Sequence, residues 1–252
     1  MSLEPTLEDN TQQRGFTLIE IAMVLFIVAL LLAGLMPAIN AQLDQQRTNE
    51  TLKRMSEIKE ALIGFAISQG RLPCSADGTK ILGQAGYGTE RASCSAGIAY
   101  GVVPWITLGT SETDAWGNRF TYRVTSDFAD TTDGTSNSTT CSTTAGVSFQ
   151  LCSTITGPTN LLTIQTSASG TVIASKIPVI IISHGKNGYG AYTTKGTVNS
   201  VPAGNLDEVA NTDHSANVVY VSHSQTTNFD DLVDWISPNI LYNRMVAAGR
   251  LP

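Results

Sequence analysis

The chain has 252 residues, a formal net charge of −6 at pH 7 and a sequence pI near 5.0. This acidic balance, without a dense cluster of Lys and Arg, argues against a general nucleic-acid binder, because phosphate binding relies on clustered cations. Hydrophobic residues make up 42% of the sequence, which is enough for a folded core even when a membrane segment is set aside.

The first predicted element is an apolar segment near the N-terminus. Residues 21–36 are all apolar, and the run extends from Leu18 to Ile39 with interruptions only at Glu20 and Pro37. A helix needs about 20 such residues to cross a bilayer, so the segment predicts a single membrane-spanning helix. The run is too long for an ordinary secretory signal, whose apolar core has about 7–15 residues, and no small-residue cleavage site follows it.

Glu20 is the unexpected residue of this segment. A charge at the centre of a membrane helix costs about 2.5–3.5 kcal/mol on insertion scales, whereas a charge near the helix end costs less because it reaches the interface. One interpretation is therefore a glutamate at the membrane boundary. Its neighbours favour another, since residues 15–20 read Gly-Phe-Thr-Leu-Ile-Glu. This stretch resembles the prepilin processing site of type IV pilins and type II secretion pseudopilins.

The resemblance implies a specific fate for the N-terminus. Residues 1–15 would be a leader that prepilin peptidase removes between Gly15 and Phe16, and the new amino group of Phe16 would be methylated. Glu20 would then lie in the first turn of the helix, near unsatisfied N–H groups and the positive end of the helix dipole. We expect it to pair with the amine of a neighbouring subunit and so to set subunit register.

The resemblance also implies the fold, the location and the partners. We expect an α+β pilin fold, with a membrane half of the helix at 16–39, an amphipathic half at 40–70 and a periplasmic domain at 71–252. The subunit would sit in the inner membrane with a single pass and then enter a filament. Its partners would be other pilins or copies of itself, the peptidase and an inner-membrane assembly platform. A nucleic-acid partner is expected only for a DNA-uptake pilin.

The helix is predicted to change character at Pro37. Proline removes an internal hydrogen bond and favours a kink, and two separate helices are the alternative. Beyond it, apolar residues at spacings of three and four predict an amphipathic helix that ends near Gly70 and Pro73. Its predicted inner face comprises Leu52, Met55, Ile58, Leu62, Phe65 and Gln69.

The remainder of the chain predicts short strands and a C-terminal helix. Segments rich in β-branched or aromatic residues and bounded by turn formers lie at 118–124, 146–153, 160–167, 177–183 and 217–223. The last helix has Ser237 as its N-cap, Pro238 at its first position and Gly249 past its end. Its predicted inner face comprises Ile240, Leu241, Met245 and Ala248. A long helix on an antiparallel sheet is an α+β arrangement.

The four cysteines have no C-x-x-C spacing and no histidine at zinc-site spacing. Nearest-neighbour pairing gives Cys74–Cys94 and Cys141–Cys152, each closing a loop rich in small polar residues. Two disulfides are expected if the domain is exported, and four free thiols are the alternative in a cytosolic protein.

Residues 114–122, Asp-Ala-Trp-Gly-Asn-Arg-Phe-Thr-Tyr, resemble a motif of the major pseudopilins of type II secretion. The chain departs from that motif at Ala115, Arg119 and Phe120. Taken from the residues alone, Asp114 and the Gly-Asn pair predict a turn that leads into a strand.

Segments 183–190 and 228–235 resemble the glycine-rich and aspartate-rich segments that flank a calcium site in major pseudopilins. Ca²⁺ prefers six to eight oxygen ligands, and Asn187, Asp230 and Asp231 are the candidates here. A long insert, residues 191–227, separates the two segments, unlike the compact family site. The insert adds three acids, Asp207, Glu208 and Asp213. The alternative is that the two aspartates cap a turn.

No enzyme is predicted. His184, His214 and His223 each lie beside a serine or an aspartate, but neither a G-x-S-x-G elbow nor a phosphate-binding loop is present. Calcium is the one cofactor considered. The predicted function is a structural subunit of a type II secretion pseudopilus or a type IV pilus. The alternatives are a minor pilin for adhesion or DNA uptake and, more remotely, a membrane-anchored periplasmic hydrolase that uses His184.

Overall fold

A computed structural model describes residues 15–94, 100–129, 149, 162–212 and 218–251 of the chain. The chain divides into two units, Met1–Gln45 and Gln46–Pro252. Helix α1 (Leu18–Gln69) starts in the first unit and ends in the second, and it continues through Pro37 without a break. Within the described ranges, no helix combines the length and the apolarity that crossing a membrane requires.

The part of α1 that belongs to the second unit has one buried stripe. Thr51, Met55, Ile58, Leu62 and Ala66 are buried and follow the helical repeat. The predicted face was wrong at Leu52, which is 47% exposed, and at Gln69, which is exposed. Leu52 lies beside the stripe, next to the buried Thr51, and Gln69 is the last residue of the helix.

The central sheet consists of β1 (Tyr100–Val102), β2 (Thr121–Val124), β5 (Val179–Ser183) and β7 (Leu232–Ile236). These four strands are antiparallel and pair in the order β1-β2-β5-β7. The strand β5 carries the apolar run of 177–183 and is buried along its whole length. Val179 and Ile181 face the core that contains α1, whereas Ile180 and Ile182 face a second core. A continuous apolar run is therefore what this position demands, since both faces of the strand are covered.

A second, three-stranded sheet has the order β4-β3-β6, and its β3–β6 pair is parallel. The strands are β3 (Thr163–Gln165), β4 (Val172–Ala174) and β6 (Val219–Val221). Short helices complete the fold: α2 (Trp105–Leu108), a 3-10 turn (Ser126–Phe128) and α3 (Leu206–Thr212). The fold is α+β with a long N-terminal helix, an antiparallel sheet and a short C-terminal helix, as in the pilin fold. The predicted strand at 146–153 lies outside the described residues, apart from the buried Phe149.

The C-terminal helix α4 (Pro238–Ala247) begins as the sequence predicts. The Ser237 side chain accepts a hydrogen bond from the backbone N–H of Ile240, and Pro238 occupies the first turn. Leu241 and Met245 are fully buried. Ile240, which is 48% exposed, and Ala248, which is exposed and forms the C-cap, were wrongly assigned to the inner face. Tyr242 packs against the core as well.

A disulfide and a buried arginine hold loops around the central sheet in place. A disulfide joins the buried residues Cys74 and Cys94, whose Cα atoms are 5.4 Å apart. Cys141 and Cys152 lie outside the described residues. The arginine is the fully buried Arg119, which donates two hydrogen bonds to Glu112 Oε1, at 2.8 and 2.9 Å.

Arg119 also binds backbone carbonyls from two loops. It donates to the carbonyl oxygens of Gly78 and Lys80, both at 2.9 Å, and to that of Thr194 at 3.3 Å. Its guanidinium lies 4.9 Å from the centre of the Trp105 ring. The planar guanidinium thus serves as donor to a carboxylate and three backbone carbonyls at once. The single ammonium group of a lysine does not reproduce this set of hydrogen bonds.

We predict that Arg119→Leu lowers the free energy of unfolding by about 3 kcal/mol, because it leaves a carboxylate and three carbonyls without their donor. Arg244→Leu is the matched control, since Arg244 pairs with Glu60 on the surface with its side chain 48% exposed. The control should lose no more than about 1 kcal/mol. Urea unfolding followed by tryptophan fluorescence measures both, and equal losses would contradict the account of Arg119.

Candidate functional site

The N-terminal segment forms a capping box at the start of α1. The backbone N–H and the hydroxyl of Thr17 each donate to Glu20 Oε2 at 2.9 Å, and the backbone N–H of Glu20 lies 3.3 Å from Thr17 Oγ1. This reciprocal pair satisfies donors that a helix start otherwise leaves free. Gly15 and Phe16 precede it, and Phe16 is 83% exposed. The Glu20 carboxylate therefore has a structural partner within its own chain.

The turn at Asp114 connects the central sheet to α1. Asp114 Oδ1 accepts from the backbone N–H groups of Trp116 and Asn118, both at 2.9 Å, and Oδ2 accepts from the Ser183 hydroxyl at 2.7 Å. Arg54 of α1 donates to the Asp114 carbonyl oxygen at 2.9 Å. Burial raises the pKa of the Asp114 carboxyl, and these hydrogen bonds oppose that rise. The turn predicted at 114–118 is present.

An acidic cluster lies just beyond the end of β5. Glu208 of α3 and the adjacent Asp230 and Asp231, which precede β7, each offer one carboxylate oxygen within 4.8 Å of the others. Glu208 and Asp231 are buried, and Asp230 is half-buried. Three carboxylates at this spacing repel one another and have lost much of their hydration.

The cluster contains unsatisfied oxygen atoms. Among the described residues, no group donates a hydrogen bond to Glu208 Oε2, Asp230 Oδ1 or Asp231 Oδ1. Burial, and next the charge of Asp231, raise the pKa of Glu208 to about 7. Burial also raises the pKa of Asp230. Such a set of oxygen atoms suits a hard cation, which would supply the missing charge and partners.

Asn187 lies beside the cluster and hydrogen-bonds two of its carboxylates. Its side-chain nitrogen donates to Glu208 Oε1 at 3.0 Å, and its side-chain oxygen accepts from the Tyr189 backbone N–H at 2.8 Å. Its own backbone N–H donates to Asp230 Oδ2 at 2.8 Å. Asn187 therefore orients the carboxylates, while Glu208 supplies the third oxygen. The acids in the insert were the only signal for Glu208 in the sequence.

Gly185 explains the close approach of the two predicted segments. Its φ is +57°, and a Cβ atom at this position would lie 2.4 Å from the Asp230 carbonyl oxygen. The residue must therefore be glycine for the 183–190 turn to pack against the segment that carries the aspartates.

His184 and His223 lie in the described part of the chain, and neither hydrogen-bonds a serine hydroxyl there. His184 is fully buried, with Nε2 2.8 Å from Thr121 Oγ1 and Nδ1 3.5 Å from Asp231 Oδ1. Ser183, which precedes it, is hydrogen-bonded to Asp114. His223 stacks on Phe229 with ring centres 3.9 Å apart. His214 lies outside the described residues.

Residues 10–36 match the family described as Prokaryotic N-terminal methylation motif. The chain carries this methylation motif. The match includes the glycine–phenylalanine junction and the Thr17–Glu20 capping box, and it is consistent with the type IV pilins and pseudopilins. It supports a pilin-like or pseudopilin protein, with processing by prepilin peptidase and assembly into pilin filaments. The motif thus points to a structural subunit that is first anchored in a membrane.

The match ends at residue 36, before the second unit begins. No curated protein and no solved structure is significantly similar to the chain. The acidic cluster is therefore interpreted from its own geometry.

Proposed function

We propose that the chain is a structural subunit of a type II secretion pseudopilus or a type IV pilus. The observation that supports this most directly is the methylation motif on a capped, exposed apolar helix. Cleavage between Gly15 and Phe16 would leave a cationic amine close to Glu20. Residues 16–39 would hold the subunit in the inner membrane, with residues 71–252 in the periplasm, until assembly packs the helices together.

Of the two systems, the pseudopilus accounts for more of the second unit. The Asp114 turn and two of the three acids, Asp230 and Asp231, lie in segments that resemble major pseudopilins. Gly185, just past the strand that Asp114 contacts, packs against Asp230. A minor pilin for adhesion or DNA uptake would explain the motif but neither of these features. A hydrolytic role for His184 has no support, because that residue is buried.

In the assembled state, Glu20 would have two functions that substitution can separate. One is the capping box within its own chain, and the other is an ion pair with the Phe16 amine of a neighbouring subunit. Glu20→Gln keeps an oxygen that accepts from the Thr17 N–H but removes the charge. Thr17→Ala removes the hydroxyl from the box but leaves the charge.

We predict that Glu20→Gln enters filaments at least about tenfold less than the wild-type chain, because it leaves a neighbouring amine unpaired in an apolar core. Thr17→Ala, which loses about 1 kcal/mol of helix capping, should enter at close to the wild-type level. The measurement is the variant fraction in filaments assembled from a mixture with tagged wild-type chains. Normal entry of Glu20→Gln together with poor entry of Thr17→Ala would assign Glu20 to capping alone.

We also propose that the acidic cluster binds Ca²⁺. Asp230, Asp231 and Glu208 would hold the ion through oxygen atoms that lack hydrogen bonds, and Asn187 would keep two of these carboxylates in place. The ion would neutralise charge that burial makes costly, and it would join the insert to the segment before β7. Its role here is structural.

We predict that Ca²⁺ raises the melting temperature of the protein. The stabilisation should reach about 2.7 kcal/mol at a hundredfold excess over the dissociation constant. Asp230→Asn keeps an acceptor for the Asn187 N–H but should abolish the shift. Asp234→Asn is the matched control, because Asp234 pairs with Lys59 outside the cluster, and it should retain the shift. An equal melting temperature in Ca²⁺ and in a chelator would contradict calcium binding at the cluster.

A further inference from the structure

A polar cleft of about 410 Å³ opens beside the acidic cluster. Three segments form it: the turn after β5, the loop before α3 and the turn before β7. None of the described residues that line the cleft carries a charge. The lining residues are the three asparagines Asn187, Asn205 and Asn228, together with Tyr189, Thr227, Pro202 and Gly204.

Several polar groups in the cleft have no protein partner. In the described ranges, no protein group hydrogen-bonds the Tyr189 hydroxyl, the Thr227 hydroxyl or the Asn228 side-chain amide. Asn205 donates to the Asn228 carbonyl oxygen, and no described residue donates a hydrogen bond to the Asn205 side-chain oxygen. A carboxamide offers a donor and an acceptor side by side, and a hydroxyl offers both from one atom. The cleft therefore presents uncharged donors and acceptors together.

We propose that this cleft binds a neutral saccharide. Neighbouring sugar hydroxyls need the paired donors and acceptors that carboxamides supply, and the Tyr189 ring offers an apolar surface for the C–H face of a sugar. The volume lies within the range of small-molecule sites, about 300–1,000 Å³, and leaves room for a mono- or disaccharide. Anionic ligands fit the lining poorly, because its described residues include no cation and it lies next to three carboxylates.

The walls of the cleft are held by the same contacts as the cluster. Asn187 hydrogen-bonds Glu208 and Asp230, and its side-chain oxygen fixes the backbone of Tyr189 at 2.8 Å. The Asp230 backbone N–H donates to Glu208 Oε1 at 3.2 Å, which joins the turn of Asn228 to α3. These contacts hold the backbone of the cleft walls in place before a ligand arrives, which lowers the entropic cost of binding. The proposal does not depend on filament assembly, because the site lies within the second unit.

The test is saturation-transfer NMR of the purified full chain with Ca²⁺ present. The probes are neutral methyl glycosides and disaccharides of glucose, galactose, mannose and N-acetylglucosamine. The detergent should have a zwitterionic headgroup, because a maltoside headgroup would compete with the probes. We expect at least one neutral sugar to bind, and we expect a sulfated glucosamine of similar size to bind more weakly.

Variants locate the binding to the cleft. Asn228→Ala should weaken binding about tenfold, the effect of losing one or two hydrogen bonds, and Tyr189→Ala should weaken it as much. Tyr189→Phe should keep most of the affinity, because the ring remains. Asn239→Ala, at an exposed asparagine of α4, is the matched control and should bind like the wild type. Asn228 is exposed, so its variant should melt at the wild-type temperature.

Three results would overturn the proposal. One is the absence of saturation transfer to every neutral sugar. Another is unchanged affinity in Asn228→Ala, which would place the sugar elsewhere. The third is preferential binding of the sulfated probe, or displacement of the sugar by a short uncharged peptide at lower concentration, which would assign the cleft to a different class of ligand.

Discussion

The buried carboxylate of Asp114 is the interaction on which the arrangement of the second unit depends. One side-chain oxygen of Asp114 closes the 114–118 turn and the other binds Ser183. The backbone carbonyl oxygen of Asp114 accepts a hydrogen bond from Arg54 of α1. One residue thereby fixes the helix, the turn and the end of the central strand relative to each other. The residues that follow Ser183 then approach the acidic cluster, His184 beside Asp231 and Gly185 against Asp230.

This arrangement brings three acids together, and one oxygen atom of each has no hydrogen-bond donor among the described residues. Glu208 arrives from α3, which Asn211 ties to β6 by hydrogen bonds to Val221 at 2.8 and 3.0 Å. The same Asn211 donates to Asp231 at 2.7 Å. The scaffold around the carboxylates is thus well bonded, while one oxygen of each carboxylate is not. That contrast is typical of a site built for a ligand, since buried polar groups are otherwise almost always satisfied.

Local patterns in the sequence predicted the features that depend on neighbouring residues. The apolar run of β5, the Ser237–Pro238 helix start and the Asp114 turn are of this kind, and each is present. Contacts between distant segments were not predictable in the same way. β7 is only partly buried and was interpreted as an acidic segment, and Glu208 joins the cluster only because α3 folds against β6. The inner faces of α1 and α4 were partly wrong for two reasons. Leu52 and Ile240 lie one residue from a buried position, and Gln69 and Ala248 lie at the helix ends, where spacing no longer predicts burial.

Glu20 connects the motif to assembly, because the capping box holds its carboxylate where cleavage would create an amine. The most direct test is the intact mass and N-terminal sequence of the mature protein from a cell that contains prepilin peptidase. The account predicts a chain that starts at Phe16 and carries one methyl group on its amino nitrogen. A chain that keeps residues 1–15, or one cut at another position, would contradict it.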